Sequence, residues 1–125
     1  MSERWIVDAM NVIGSRPDGW WNDPDKAMRD FARVLDDHAD RTGKNITVVF
    51  DKDPSRLPKT SHVEVVIARR RGRNAADYEI ERLVDGEEDP QHLRVVTSDR
   101  DLADKVRVAG AKVVSSGTFR RELDQ

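Results

Sequence analysis

Short runs of β-branched residues alternate with longer amphipathic segments along the whole 125-residue chain. The first run ends at Asp8, and a second run from Ile46 to Phe50 is almost continuously apolar. Between them, apolar side chains recur at helical spacing from Asp25 to Thr42, and Gly43 is a suitable helix stop. Parallel strands need helical crossovers, so this alternation predicts a parallel sheet with helices on both faces.

The same pattern continues to the end of the chain. Further strands are predicted at residues 62–68, 93–97 and 111–114, and further helices at residues 74–84, 102–109 and 119–123. Residues 14–24, rich in glycine and proline and containing Trp20 and Trp21, are predicted to form a loop. Because no repeat or linker divides the sequence, we predict one α/β domain over residues 1–125.

Composition excludes several classes of protein. The chain has no cysteine, which rules out disulfide scaffolds, thiolate metal sites and cysteine nucleophiles. With 22 Lys and Arg against 24 Asp and Glu, the net charge is -2, so any attraction to nucleic acid must come from a local basic patch. No apolar run approaches the roughly 18–20 residues of a membrane span, and no signal-peptide pattern is present. We therefore expect a soluble, cytoplasmic domain.

Acidic residues follow several of the predicted strands. Asp8, Asp51 and Asp99 lie at or just beyond three strand ends, Asp101 follows two residues after Asp99, and Asp77 begins a helix. The carboxyl ends of parallel strands share one edge, where ligands bind in open α/β sheets. Carboxylates gathered there repel one another unless a cation neutralises them. All-oxygen ligation suits Mg²⁺ or Mn²⁺, so we predict a metal site.

Each acid also has a purely structural interpretation. Ser98 and Asp101 have the spacing of a helix capping box, as do Asn74 and Asp77. Asp99 near a helix N-terminus is favourable through the helix dipole alone. These interpretations stay open for each residue taken singly. The conjunction of acids at one sheet edge is what favours the metal site.

Four segments of the chain, in order, resemble the NYN subgroup of PIN-like nucleases, and in particular its YacP-like branch of bacterial ribonucleases. The segments are Asp8-x-x-Asn11, Val-Val-Phe-Asp51, Asn74-Ala-Ala-Asp77-Tyr-Glu-Ile and Thr97-Ser98-Asp99-Arg-Asp101. The resemblance covers nearly the whole chain, from Trp5 to about Glu122. It implies a three-layer α/β/α PIN-like fold with a mostly parallel five-stranded sheet ordered 3-2-1-4-5.

The resemblance also implies an activity and its residues. The chain is expected to be a metal-dependent endoribonuclease that uses Mg²⁺ or Mn²⁺ and leaves 5′-phosphate and 3′-hydroxyl ends. The catalytic residues would be Asp8, Asn11, Asp77, Asp99 and Asp101. The metal ligands would be Asp8, Asp77, Asp99, Asp101 and Asp51. One departure from the family pattern is the sequence after Asp51, which is Lys-Asp-Pro in place of a glycine-containing turn.

A basic run stands immediately before the helix that carries Asp77, where an RNA backbone must be bound. The candidate RNA-binding residues are Arg69, Arg70, Arg71, Arg73, Arg100 and Ser98. Trp20 and Trp21 would either stack on the bases of a single strand or fix their loop to the first helix. The expected partners are single-stranded RNA and the ribosome, with a homodimer also open.

Competing functions differ in the residues they require. A receiver domain needs a second acid beside Asp8 and a lysine after the fifth strand, but the chain has Ala9 and Val114-Ser115 at these places. His38, His62 and His92 are dispersed, so we interpret them as structural residues. The alternative that stays open is a catalytically weak PIN-like module that binds RNA or assembles with a partner such as the ribosome.

Overall fold

A five-stranded parallel sheet forms the centre of the computed structural model, which describes residues 3–72 and 74–125. The strands are β1 (Arg4–Asp8), β2 (Asn45–Phe50), β3 (Val63–Ile67), β4 (Leu93–Val96) and β5 (Lys112–Val114). The helices are α1 (Ala9–Ile13), α2 (Pro24–Thr42), α3 (Ala75–Asp85), α4 (Arg100–Val108) and α5 (Ser116–Leu123). The strand order β3-β2-β1-β4-β5 confirms the predicted topology. Among the described residues, no helix is long and apolar enough to cross a membrane.

The sheet is buried on both faces because its strands direct alternate residues to two separate hydrophobic cores. Val7 and Val48 belong to the core that Met28 and Leu35 of α2 and Phe119 of α5 also form. Their strand neighbours belong to the other core, together with residues of α3 and α4; its members include Ile6, Val49, Val95, Ile80, Leu102 and Val106. The structure is therefore the three-layer arrangement expected from the sequence.

The structure differs from the sequence expectations at three helix starts. The short helix α1 follows β1 directly, so Asp8 precedes a helix and not a loop; five residues are too few to show helical periodicity. The Asn74 capping interpretation is wrong, because Asn74 has a left-handed backbone (φ 69°) and makes no capping hydrogen bond. The Ser98 capping interpretation is also wrong, because the carboxylate of Asp99 accepts from the Leu102 amide at 3.1 Å.

A single carboxylate on α2 fixes the start of the edge strand β3. Asp36 Oδ1 accepts hydrogen bonds from three successive backbone amides, those of Ser61 at 3.0 Å, His62 at 2.7 Å and Val63 at 3.2 Å. Hydrogen bonds to an ionised acceptor are stronger than neutral ones. Asp36 therefore ties the long β2–β3 connection to the body of the domain.

We predict that Asp36→Ala lowers the free energy of unfolding by about 1–2 kcal/mol, because three amides lose a charged acceptor. Its neighbour Asp37 is a matched control: that side chain is exposed and makes one helical ion pair with Arg41. Asp37→Ala should cost less than about 0.5 kcal/mol. Urea unfolding of both variants measures the difference, and equal losses would contradict the role given to Asp36.

Candidate active site

Asp8 and Asp99 meet where the two central strands end. Asp8 is the last residue of β1, and Asp99 follows the neighbouring strand β4. The Thr97 hydroxyl donates to Asp8 Oδ2 at 3.0 Å, and the same hydroxyl oxygen accepts from the Asp99 amide at 3.1 Å. Thr97 therefore fixes both acidic segments relative to each other.

The carboxylate of Asp8 is buried, with 6% of the residue exposed. Burial is the main cause that raises the pKa of Asp8 to about 6, and the nearby charges of Asp77 and Asp99 act in the same direction. Hydrogen bonds from the Thr97 side chain and from the Asn11 backbone lower the pKa of Asp8 and so partly offset this increase. Asp8, Asp77 and Asp99 thus form one electrostatically coupled group, which we call the carboxylate site.

Asp77 brings α3 to the same place. Burial raises the pKa of Asp77, and the charges of Asp99, Glu81 and Asp101 raise it further, while Lys105 lowers it. Asp101 is exposed in the first turn of α4. The structure therefore brings four of the sequence-predicted acids into one electrostatic neighbourhood, with Asp8 the most buried member.

Asn11 connects three elements around the carboxylate site. Its Oδ1 accepts from the Ser98 amide at 2.8 Å and from the Ser116 hydroxyl at 2.6 Å. The Ser116 amide in turn donates to the Ser98 hydroxyl oxygen at 2.9 Å. This network holds α1 against the starts of α4 and α5. Sequence reasoning missed Ser116, because its neighbour Ser115, which does cap α5, explains the serine pair by itself.

The donor chemistry of the carboxylate site fits a divalent cation. Asp8, Asp77 and Asp99 offer only oxygen ligands, which Mg²⁺ and Mn²⁺ prefer, and a cation would offset both the burial of the Asp8 charge and its repulsion by Asp77 and Asp99. In residues 3–72 and 74–125, no three His, Asp or Glu side chains are close enough to enclose a metal ion. The fit to a cation therefore lies in the chemistry of the donor atoms, and Asp8, Asp77 and Asp99 are the residues that would hold it.

Asp51 lies on the loop after β2, the strand that pairs with β1. It follows β2 and lines a cavity of about 710 Å³ with Lys52, Asp53 and the residues from Ile67 to Gly72. Its Oδ1 is buried and has no hydrogen-bond partner among the described residues. This predicted metal ligand therefore shares its cavity with Lys52 and the arginines at positions 69–71.

The basic run Arg69-Arg70-Arg71 is exposed at the rim of this cavity, and residues of α3 hold it in place. The Arg69 amide donates to Glu79 at 3.2 Å, and the buried Glu79 carboxylate also binds the Arg82 guanidinium at 2.8 Å. The Arg70 guanidinium lies 4.5 Å from the centre of the Tyr78 ring. Sequence reasoning missed Glu79, although an acid one helical turn before an arginine is a recognisable pair. Arg73 lies outside the described residues.

The remaining candidate residues have separate positions. Arg100 is exposed at the first position of α4, between Asp99 and Asp101, and the Ser98 hydroxyl oxygen accepts a hydrogen bond from the Ser116 amide. Trp20 is half-buried against the core, so it fixes its loop, and Trp21 is 55% exposed.

The three histidines make structural contacts. His38 packs against Phe119 in the core, with 6.0 Å between ring centres. His62 lies 3.4 Å from Asp40, and His92 lies 2.7 Å from Asp89.

Comparison with known proteins identifies the domain. A family model for the YacP-like NYN domain matches residues 5–125. This chain belongs to that family. This YacP-like chain is similar to the crystal structure of Rae1 (YacP) from Bacillus subtilis, with a TM-score of 0.78 and 26% sequence identity. The match covers 98% of this chain and 74% of the Rae1 chain. Its W164L mutant gives a TM-score of 0.79 and 25% identity, with 98% and 75% covered. A search of curated protein sequences finds no significant match.

These comparisons confirm the family and the PIN-like fold predicted from the four motifs. The YacP-like NYN domain is a nuclease-type domain, and its family acts on RNA. The carboxylate site of this YacP-like chain lies at the ends of the central strands β1 and β4, where α/β sheets bind their ligands.

The buried Asp8 carboxylate makes stability depend on pH. Its folded pKa of about 6 exceeds the ordinary value of 3.8, so the folded protein holds this proton more tightly than the unfolded chain. Asp8 therefore destabilises the metal-free fold increasingly as pH rises from about 4 to above 6. We predict that Asp8→Asn, whose amide oxygen still accepts from Thr97, stabilises the metal-free protein by about 1–3 kcal/mol at pH 7.5.

Urea unfolding in EDTA at pH 4 and pH 7.5 measures this effect. The stabilisation should be much smaller at pH 4, where Asp8 is protonated in the folded state and close to half-protonated in the unfolded chain. Asp104→Asn is the control, because that acid of α4 is exposed and does not belong to the carboxylate site. A variant Asp8→Asn that is less stable than wild type at pH 7.5 would contradict the electrostatic account.

Proposed function

We propose that this chain is a metal-dependent endoribonuclease that hydrolyses RNA phosphodiester bonds at the carboxylate site and leaves 5′-phosphate and 3′-hydroxyl ends. The observation that carries the proposal is the buried Asp8 carboxylate, whose pKa is raised to about 6 by burial and by Asp77 and Asp99. A group of acids that is held together against its own repulsion suits a bound cation. Membership of a family that acts on RNA supports the substrate.

The residues of the carboxylate site have distinct proposed roles. Asp8, Asp77 and Asp99 would hold Mg²⁺ or Mn²⁺, with Asp101 adding negative charge beside Asp77. Such an ion, when bound, lowers the pKa of an attacking water and stabilises the departing oxygen. Thr97 keeps the Asp8 carboxylate in one orientation. Asn11 uses its oxygen for the fold, which leaves its amide nitrogen to donate to a phosphate oxygen.

Positive charge for the RNA backbone comes from two sides of the carboxylate site. Arg69, Arg70 and Arg71 follow β3, and Arg100 begins α4. We further propose single-stranded RNA as the substrate, since the exposed Trp21 offers a ring on which an unpaired base can stack. We extend the same proposal to three further points. The protein acts in the cytoplasm, it acts on or with the ribosome, and it forms a homodimer.

A second candidate function is a PIN-like module that binds RNA with a partner and cleaves it weakly or not at all. One observation favours it: within the described residues, no three acidic or histidine side chains are close enough to enclose a metal ion. The two functions differ in whether purified protein cleaves RNA.

Cleavage of labelled single-stranded RNA in Mg²⁺ or Mn²⁺, beside an EDTA control, tests the proposed activity. We expect metal-dependent products with 5′-phosphates. Asp8→Asn and Asp99→Asn should each lower the rate by about 100-fold or more, because each removes a charge that holds the cation. Asparagine caps helices as well as aspartate does, so Asp99→Asn keeps the start of α4 intact.

Asp104→Asn is the matched control for the cleavage assay, since Asp104 is an exposed acid on α4 paired only loosely with Arg107 at 3.7 Å. It should cleave at the wild-type rate. RNA that stays intact with wild-type protein in both metals would favour the binding module instead.

The role of the basic run is tested by salt dependence. Arg71→Ala should weaken RNA binding in EDTA and reduce the slope of log K against log salt by about one charge contact. Arg107→Ala, an exposed arginine at the far end of α4, should change neither quantity. Fluorescence anisotropy of labelled RNA from 50 to 300 mM salt measures both; an unchanged slope for Arg71→Ala would remove this run from the RNA interface.

A further inference from the structure

The cavity beyond the ends of β2 and β3 has the size of a ligand site. Its volume is about 710 Å³, within the roughly 300–1,000 Å³ that small-molecule sites occupy. Two loops line it: one carries Asp51, Lys52 and Asp53, and the other carries the arginine run 69–71. We call it the arginine cavity.

Asp51 carries an unused acceptor at this cavity. Its buried Oδ1 has no hydrogen-bond partner in the described part of the chain, and an unpaired buried carboxylate oxygen is energetically costly. The adjacent cations are directed elsewhere: the Lys52 ammonium lies 3.6 Å from Asp25, and the Arg70 guanidinium lies over the Tyr78 ring. The carboxylate therefore lacks a donor, and a ligand in the cavity supplies one once the Asp51 side chain turns towards it.

The charges around the arginine cavity indicate what kind of ligand that is. Three arginines and Lys52 outnumber the two acids, and the Asp53 carboxylate already accepts from the Ser55 amide at 2.8 Å. This excess of positive charge opposes a metal ion at Asp51 and attracts an anion. A nucleotide has both features that the cavity requires, a phosphate for arginines and O–H or N–H donors for a carboxylate.

Strand register places this cavity beside the carboxylate site. Asp8 pairs with Val49 on the adjacent strand, and Asp51 follows Val49 by two residues. Neighbouring strands lie about 4.8 Å apart, so a strand of RNA at Asp8 passes the cavity within a nucleotide or two. The arginine loop is held there, because the Ala68 amide donates to the Phe50 carbonyl at 2.9 Å and Glu79 binds the Arg69 amide.

We propose that the arginine cavity is a nucleotide subsite. In it, Arg69 and Arg71 bind a phosphate of the RNA strand, and Asp51 accepts a hydrogen bond from a ribose hydroxyl or a base N–H of the adjoining nucleotide. Asp51 is then a residue that selects the substrate, and it does not ligate the metal. This inference rests on the proposed ribonuclease function and adds the recognition of one nucleotide to it.

Binding of labelled oligonucleotides in EDTA tests the subsite without cleavage. One arm compares a ribo-oligonucleotide with its 2′-deoxy counterpart, and the other compares ribo-homopolymers of the four bases. Wild-type protein should lose about tenfold in affinity when the matching donor is absent, as expected for a hydrogen bond to a charged group. Asp51→Ala should lose this discrimination and bind both oligonucleotides within about twofold.

The control and the readouts separate the possible results. Asp53 lines the same cavity, and Asp53→Ala removes the same charge. This variant should nevertheless keep wild-type discrimination, because the Asp53 carboxylate already accepts from the Ser55 amide. Loss of binding in the deoxy arm assigns the donor to the ribose, and a preference for one base assigns it to the base. Asp51→Leu, which keeps a similar side-chain volume and has no acceptor, replaces Asp51→Ala if the alanine variant does not fold.

Two results would overturn the subsite: wild-type protein that shows no preference in either arm, or Asp51→Ala that keeps the wild-type preference. Cleavage is measured on the same preparations. Metal-dependent cleavage without an Asp51-dependent preference removes the subsite alone. An Asp51-dependent preference without cleavage supports the subsite and removes the nuclease proposal.

Discussion

The burial of one carboxylate, that of Asp8, is the constraint on which the carboxylate site depends. Asp8 ends the central strand β1, so the sheet and its two helical layers close around it. Burial together with the charges of Asp77 and Asp99 raises its pKa to about 6. The hydrophobic packing of the fold thus maintains a repulsive acidic group, and a ligand of opposite charge is the natural means of relieving it.

Two small polar networks convert this packing into a defined geometry. Thr97 contacts both Asp8 and the Asp99 segment, and Asn11 binds the starts of two further elements through Ser98 and Ser116. These hydrogen bonds are short-range and specific, whereas the acids themselves interact over longer distances. The fold therefore positions the acids through neutral partners, and the charges remain available for a ligand.

Much of the architecture could be predicted from the sequence, because the period of apolar residues differs between strands and helices. The helix α2, which Gly43 ends in a left-handed conformation, followed from that period, and the strand order followed from the resemblance to the family. The start of α4 did not, because Asp99 and Ser98 are both good helix caps and only tertiary contacts decide between them. Motif spacing grouped Asp51 with the other acids, but it could not show that Asp51 also lines a cavity with the arginine loop, because that depends on how the loops after β2 and β3 pack.

The central claim is that the acids around Asp8 bind a divalent cation. Calorimetric titration of the purified protein with Mn²⁺ tests it most directly and needs neither RNA nor a partner. The account predicts saturable binding by wild type and by Asp104→Asn, and its loss in Asp8→Asn. It also predicts unchanged binding in Asp51→Ala, which separates the carboxylate site from the arginine cavity. Equal Mn²⁺ binding by wild type and Asp8→Asn, or none by either, would contradict the claim.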